Sequence, residues 1–262
     1  MQLLQTAERV SQHDLSDNYV FQRSILAYIE AAKRVSGQAL EIGTGSGYGI
    51  GIIADRTDRF VTLDKFEPAI LTSQEIQRRD NVEFIRMTIP PLSGIPDDAF
   101  DFVISFQVIE HIEDDNLFVR EIHRVLKPGG KFIVTTPNRK MSLTRNPWHV
   151  REYTVAELKA LLLKQFDSVE ASGVFGNEKI MAYYAKNKAS VEAITRFDIL
   201  KLQYRLPRQL LQIPYDILNR MNRRKLLKNN NSLVSEITKE DYFLGEADES
   251  CFDLFYVARK KG

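Results

Sequence analysis

Apolar and polar positions follow two rhythms along this chain. Apolar-rich runs recur at 39–42, 59–64, 81–87, 100–106, 131–138, 167–175 and 251–261. Short runs bounded by turn residues read as strands, and continuous ones as strands buried on both faces. Between them the spacing changes to three and four. Val20, Ile25, Ala27, Tyr28, Ile29 and Ala32 mark one helix, and Phe118, Ile122, Val125 and Leu126 a second. Ala156, Leu158, Leu161 and Leu162 mark a third, opening on Thr154 with Glu157 three residues on, the pattern of a capping box. Residues 68–80 read as a further helix, 88–100 as a proline-rich loop and 127–130 as a tight turn, while Gly37 reads as a helix stop. Strands alternating with helices predict a doubly wound α/β sheet.

The first strand leads into a turn with chemical content. Residues 39–48 read ALEIGTGSGY, and a helical run follows. A strand, a glycine turn and a helix start form a place for a nucleotide-like ligand, because glycine lets a ligand approach the backbone closely. A dinucleotide fingerprint, G-x-G-x-x-G, fails in every register: its third glycine falls on Tyr48, Ile50 or Ile52. What stands here is Gly43-x-Gly45-x-Gly47, with Glu41 two residues before it. A carboxylate there repels a pyrophosphate and suits an ammonium group, directly or through water. Asp64 closes the second strand 17 residues after Gly47, where an acid can accept from both ribose hydroxyls.

Composition narrows the class without deciding it. The chain has 262 residues, a net charge of +1 and one cysteine. That length supports one large core with room for an insertion. The balanced charge gives no general case for nucleic acid or membrane. Cys251 alone excludes an internal disulfide framework and any multi-cysteine metal site, and fits a reducing cytoplasm. No apolar stretch approaches the roughly 20 residues of a membrane span.

The glycine turn, Asp64 and the block FDFVIS…EHI…EIHRVLKPGGKFIVTTPN fall in one order. In that order the chain resembles the class I S-adenosylmethionine-dependent methyltransferases, in particular the type 11 group that includes quinone-biosynthesis enzymes. The resemblance covers about residues 35–172. It implies a Rossmann-like, mostly parallel seven-stranded sheet of order 3-2-1-4-5-7-6, with the last strand antiparallel. It implies S-adenosylmethionine as cofactor, held by Glu41, Gly43, Thr44, Gly45, Gly47, Asp64, Lys65, Met87, Thr88 and Gln107, with Tyr19 stacking nearby. Where the family commonly has Gly-Asp after the third strand, this chain has Met87-Thr88. Thr88 can still hydrogen-bond and Met87 can pack on a purine. Glu110 and His111 follow the fourth strand and are the candidate catalytic pair, His111 as general base. Some O-methyltransferases carry E-x-x-E-H with a later histidine. Here Gln107 replaces the first carboxylate, so no metal is expected, although Glu110, His111 and His149 could hold one ion. His13 and His123 read as surface or packing residues.

The chain is read as one methyltransferase domain, 1–262, with an N-terminal helical cap at 1–36. Residues 177–247 have no counterpart in the minimal fold and read as a helical insertion or lid. Residues 196–228 hold nine Lys or Arg against two Asp, an excess of +7, interleaved with Leu and aromatic residues. This suggests two amphipathic helices broken at Pro207 and Pro214. The favoured role is a lid; next comes a basic surface for a phosphorylated or lipid-linked substrate; nucleic acid is not expected. The expected function is O-methylation of a small molecule such as a sugar, phenol or quinone precursor. The alternatives are an RNA ribose 2′-O-methyltransferase with a metal site, and a cofactor-binding protein without catalysis.

Overall fold

The computed structural model describes residues 10, 14–196, 198 and 202–262. The first nine residues of the expected helical cap, His13, Phe197 and Leu200 lie outside the described residues. Eight strands are described: β1 Gln38–Ile42, β2 Arg59–Asp64, β3 Val82–Arg86, β4 Phe100–Phe106, β5 Leu126–Pro137, β6 Ser168–Gly176, β7 Tyr242–Glu246 and β8 Asp253–Arg259. They form one sheet in the order β3-β2-β1-β4-β5-β8-β6-β7. The first five pair in parallel, and β8 runs antiparallel between β5 and β6. This is the expected Rossmann-like order with one strand added. The addition, β7, lies inside the stretch expected to be helical and pairs antiparallel with the edge of β6.

The helices are α1 Asn18–Ala32, α2 Ile50–Ala54, α3 Gln74–Gln77, α4 Asp115–Val125, α5 Val155–Leu162, α6 Glu178–Thr195, α7 Leu202–Arg205, α8 Arg208–Asn229 and α9 Asn231–Ser235. Side chains alternate across each strand, so the sheet feeds two cores. Leu40 and Ile42 join Phe132, Val134 and the inner faces of α4 and α5 (Phe118, Ile122, Leu158, Leu162). Ala39, Phe60, Ile104 and Ile133 face the other way, onto Leu26, Tyr28, Ile50 and Ile53, with Ile180 and Tyr183 of α6 and Leu226 of α8.

Local chemistry sets the ends. Asp114 caps α4 through the Leu117 N–H, and Thr154 and Glu157 form the expected capping box on α5. The helix expected over 68–80 is cut short: Ser73 is extended and caps α3, leaving only a 3-10 turn at Ala69–Thr72 before it. α1 stops at Ala32, before Gly37, which instead turns the chain into β1 at φ +63°. Pro207 starts α8, but Pro214 does not end it. Pro214 is exposed, so water can satisfy the carbonyl its missing N–H leaves unbonded.

The N-terminal helix and the insertion share one buried seam. Asn18 donates through Nδ2 to the Val234 and Ile237 carbonyls, at 2.8 and 2.9 Å. Tyr242 donates its hydroxyl to the Tyr19 carbonyl at 2.7 Å. Asp17 is wholly buried and receives Arg220 at 2.9 Å and Arg223 at 2.8 Å.

Candidate functional site

A cleft of about 740 Å³ opens where β1, β2, β3 and β4 end. Gly43, Thr44 and Gly45 from the first loop line it, together with Asp64, Lys65, Met87, Thr88, Gln107 and His111. All of these belong to the expected set, because in a parallel sheet the strand ends and the following loops converge on one edge. Volumes of roughly 300–1,000 Å³ suit small ligands.

The loop after β1 holds its shape through specific contacts. Gly45 has φ +58°, and a Cβ built there meets nothing within 4 Å, so the protein leaves that side open for a ligand. Its N–H donates to Asp64 Oδ2 at 3.0 Å, while Asp64 Oδ1 accepts from the Phe66 N–H at 2.9 Å. Asp64 thus fixes the glycine loop to the end of β2 and still faces the cleft. Gln107 has φ +57°, a costly backbone for a residue with a Cβ. Its N–H donates to the Thr135 carbonyl at 3.0 Å and its Nε2 to Thr135 Oγ1 at 3.3 Å.

Four expected residues stand elsewhere. Glu41 is 1% exposed and lies beneath the cleft rather than in its wall. Tyr28 donates to its Oε1 at 2.7 Å and Thr62 to its Oε2 at 2.5 Å, so the side chain is held inside the core. Burial lifts its pKa to about 7, against the pull of those two hydrogen bonds. Gly47 is needed for packing, since a Cβ there would lie 2.3 Å from Ile70 Cγ2. Tyr19 stacks on Tyr183 with ring centroids 4.3 Å apart, away from the cleft. Glu110 is buried and accepts from Thr136 Oγ1 at 2.9 Å, and burial raises its pKa. Its carbonyl accepts from the Val150 N–H at 2.7 Å, tying the 146–152 loop to β4. Glu110 therefore sits behind the cleft wall and holds the 146–152 loop.

The 146–152 loop, of which the sequence pointed only to His149, carries a chain of hydrogen bonds. Asn146 Oδ1 accepts from the Trp148 N–H at 3.0 Å, which turns its Nδ2 towards His149 Nε2 at 2.8 Å. His149 Nδ1 meets Glu152 Oε1 at 2.7 Å. An amide donor on one nitrogen and a carboxylate on the other select the Nδ1–H tautomer. His111 Nδ1 lies 3.1 Å from the Trp148 carbonyl, and the two imidazoles stand 5.0 Å apart, nearly perpendicular. Donor atoms of Glu110, His111 and His149 fall within 4.8 Å of one another. The spacing of Asn146 and Glu152, three residues either side of His149, was the signal available in the sequence.

A second cavity of about 600 Å³ adjoins the first, between the sheet, α6 and α8. Its wall is mostly apolar, with Met141, Leu143, Tyr184, Val191, Leu211 and Leu218. Arg23, His149, Tyr215 and Arg223 line both cavities. Arg23 is anchored by Asp253 at 2.9 Å, a buried pair that local sequence gave no reason to join.

A family model described as a methyltransferase domain matches residues 40–134, which include the strand-end loops of the cleft. A protein of Mycolicibacterium smegmatis named as a probable S-adenosylmethionine-dependent methyltransferase is 36% identical over 193 residues, covering 71% of this chain and 74% of its own. A ubiquinone biosynthesis O-methyltransferase of Pseudomonas syringae pv. tomato is 28% identical over 112 residues, covering 42% of this chain and 48% of its own. The solved YcgJ protein of Bacillus subtilis shares the fold, with a TM-score of 0.52 at 15% identity over 93% of this chain and 99% of that one. No described helix is long and apolar enough to cross a membrane. The cleft itself suits a nucleoside: an open glycine turn and a carboxylate at the end of β2. The chain belongs to the S-adenosylmethionine-dependent methyltransferases, and S-adenosylmethionine is its cofactor.

Proposed function

We propose that the enzyme methylates a hydroxyl of a small, largely apolar acceptor held in the second cavity, with His111 as general base. The observation that carries this reading is the tautomer of His111. A carbonyl only accepts, so the Nδ1 that faces Trp148 O carries the proton. Nε2 is then the unprotonated nitrogen of the neutral ring, the form that takes a proton from a hydroxyl. When bound, the cofactor supplies an electrophilic methyl group on a sulfonium. The chain must align the acceptor oxygen, remove its proton and keep water out. Asp64, Gly45, Met87, Thr88 and Gln107 are the residues we assign to holding the cofactor, with Glu41 acting from beneath through Tyr28. We assign residues 177–247 the role of lid, since α6 and α8 wall the second cavity.

The acceptor class follows from that wall. Leu, Val and Tyr side chains favour a phenol or quinone precursor over a sugar. The name of the Pseudomonas relative points the same way. Asn222 Oδ1 is buried in this wall and has no hydrogen-bond partner among the described residues, so it can accept from a ring hydroxyl. The test is labelled methyl transfer from the cofactor to pools of phenols, sugars and amines. Transfer to phenols, reduced about 10²–10⁴-fold in His111→Gln with cofactor affinity kept, is the expected result. Transfer to amines alone would refute the oxygen assignment.

The convergence of Glu110, His111 and His149 favours a second reading, in which they bind one divalent ion that orients the acceptor oxygen. Two imidazoles and a carboxylate suit zinc or manganese. Stoichiometric metal in the purified protein, and turnover lost to a chelator and restored by a divalent cation, would establish it. Full activity of metal-free protein would remove it.

A further inference from the structure

α8 has two faces, and only one is used by the cavity. Leu211, Tyr215 and Asn222 line the cavity and Leu226 is buried. On the opposite side Leu210, Ile213, Ile217 and Met221 are 65, 72, 55 and 62% exposed. Their spacing of three and four makes one continuous stripe. Arg224 and Lys228 continue it at the same spacing. An exposed apolar stripe this long demands a partner.

The charge around it selects one. From Leu202 to Asn229 the chain has seven Lys or Arg and a single acid, Asp216, which accepts from Trp148 Nε1 at 3.0 Å. Arg220 and Arg223 are drawn inward to Asp17, and Arg208 pairs with Glu113. Arg205, Lys225 and Lys228 are exposed and have no ion-pair partner among the described residues. A second copy fits this face poorly. Antiparallel pairing would lay each cationic end on the other's apolar half, and parallel pairing would set the cationic ends side by side. An anionic bilayer satisfies both parts, with acyl chains for the stripe and headgroups for the cations.

We propose that the outer face of α8 docks the enzyme flat on an anionic membrane surface. α8 is too polar to span; a two-faced helix with a cationic end lies in the interface. The same helix walls the second cavity, so a docked enzyme holds that cavity about one helix diameter, roughly 10 Å, from lipid. This part rests on the acceptor reading above and points to an acceptor that partitions into membranes; the docking itself does not depend on it.

The experiment is co-sedimentation with vesicles, which needs no turnover. Vesicles of phosphatidylcholine alone are compared with an equal mixture of phosphatidylcholine and phosphatidylglycerol. The wild type should bind the mixture at least about tenfold more tightly, and high salt should remove the difference. Ile213→Glu/Ile217→Glu should abolish binding to both. Lys225→Glu/Lys228→Glu should abolish only the preference for phosphatidylglycerol. All four positions are at the surface, and unchanged thermal transitions would show the variants folded. A wild type that stays in the supernatant with both vesicles overturns the proposal, as do variants that sediment like the wild type. A dimer in solution that Ile217→Glu splits would give the face to a second copy and overturn it too.

Discussion

Glu41 and Asp64 are both acids at strand ends, and the fold uses them differently. Asp64 reaches the cleft because it ends β2 and the chain turns away there, a placement legible from local order alone. Glu41 is buried because Tyr28, 13 residues before it, and Thr62, 21 residues after it, close over it, which no local pattern announces. Glu41 has a pKa near 7 when folded and 4.5 when exposed, so between those values the folded state binds the extra proton. Stability from this group is therefore full below pH 4.5 and lost as pH rises through 7, by about 3 kcal/mol in all. Glu41→Gln should abolish that fall, read as the difference between wild-type and variant denaturation midpoints from pH 4.5 to 7.5. Parallel curves would mean Glu41 is ionised throughout. Asp64→Ala should weaken S-adenosylhomocysteine by about 1.5–3 kcal/mol, the range for charge-assisted hydrogen bonds. Calorimetry on the folded variant checks this, and an unchanged Kd would point Asp64 at the glycine loop only.

At the scale of elements, strands and helices with strong periodicity were readable, and weaker ones were not. β4 and β5 announce themselves as continuous apolar runs, and α5 by its capping box. β7 is YFLGE, five residues without alternation, and becomes a strand only because β6 offers an open edge. The insertion's basic excess looked like a solvated face, yet two of its arginines are structural. Asp17 carries no exposure, and Arg220 and Arg223 are its ion-pair partners. Losing both would take two cations from beside a buried carboxylate. Arg220→Ala/Arg223→Ala should cost about 3–5 kcal/mol of stability by urea denaturation. Either single change should cost less, because one guanidinium remains. Adding Asp17→Asn to the double variant should recover much of the loss, since the buried negative charge is gone. A double variant as stable as wild type would show that Asp17 is satisfied by other groups.

Across the whole molecule, the two cavities divide the ligands while sharing a wall. The strand-end loops within residues 43–112 and helix α1 supply much of the cofactor cleft, and α6, α8 and the loop after β5 much of the second cavity. Excising 196–228 would test that division badly, because it would also remove Arg220 and Arg223 from buried Asp17. A bulky side chain inside the second cavity tests it cleanly. Val191 lies on α6, lines the second cavity, and does not line the first. Its half-buried side chain faces open space, so a larger residue can occupy the cavity without displacing the core. Val191→Trp should leave the Kd of S-adenosylhomocysteine within about twofold, under 0.5 kcal/mol. The same change should lower kcat/KM for the acceptor by about tenfold or more, as a filled pocket loses roughly 1–3 kcal/mol of discrimination per misplaced group. A matched loss in both measurements would mean that the cavities act as one site. Unchanged turnover with the cofactor still bound would place the acceptor outside the space between α6 and α8.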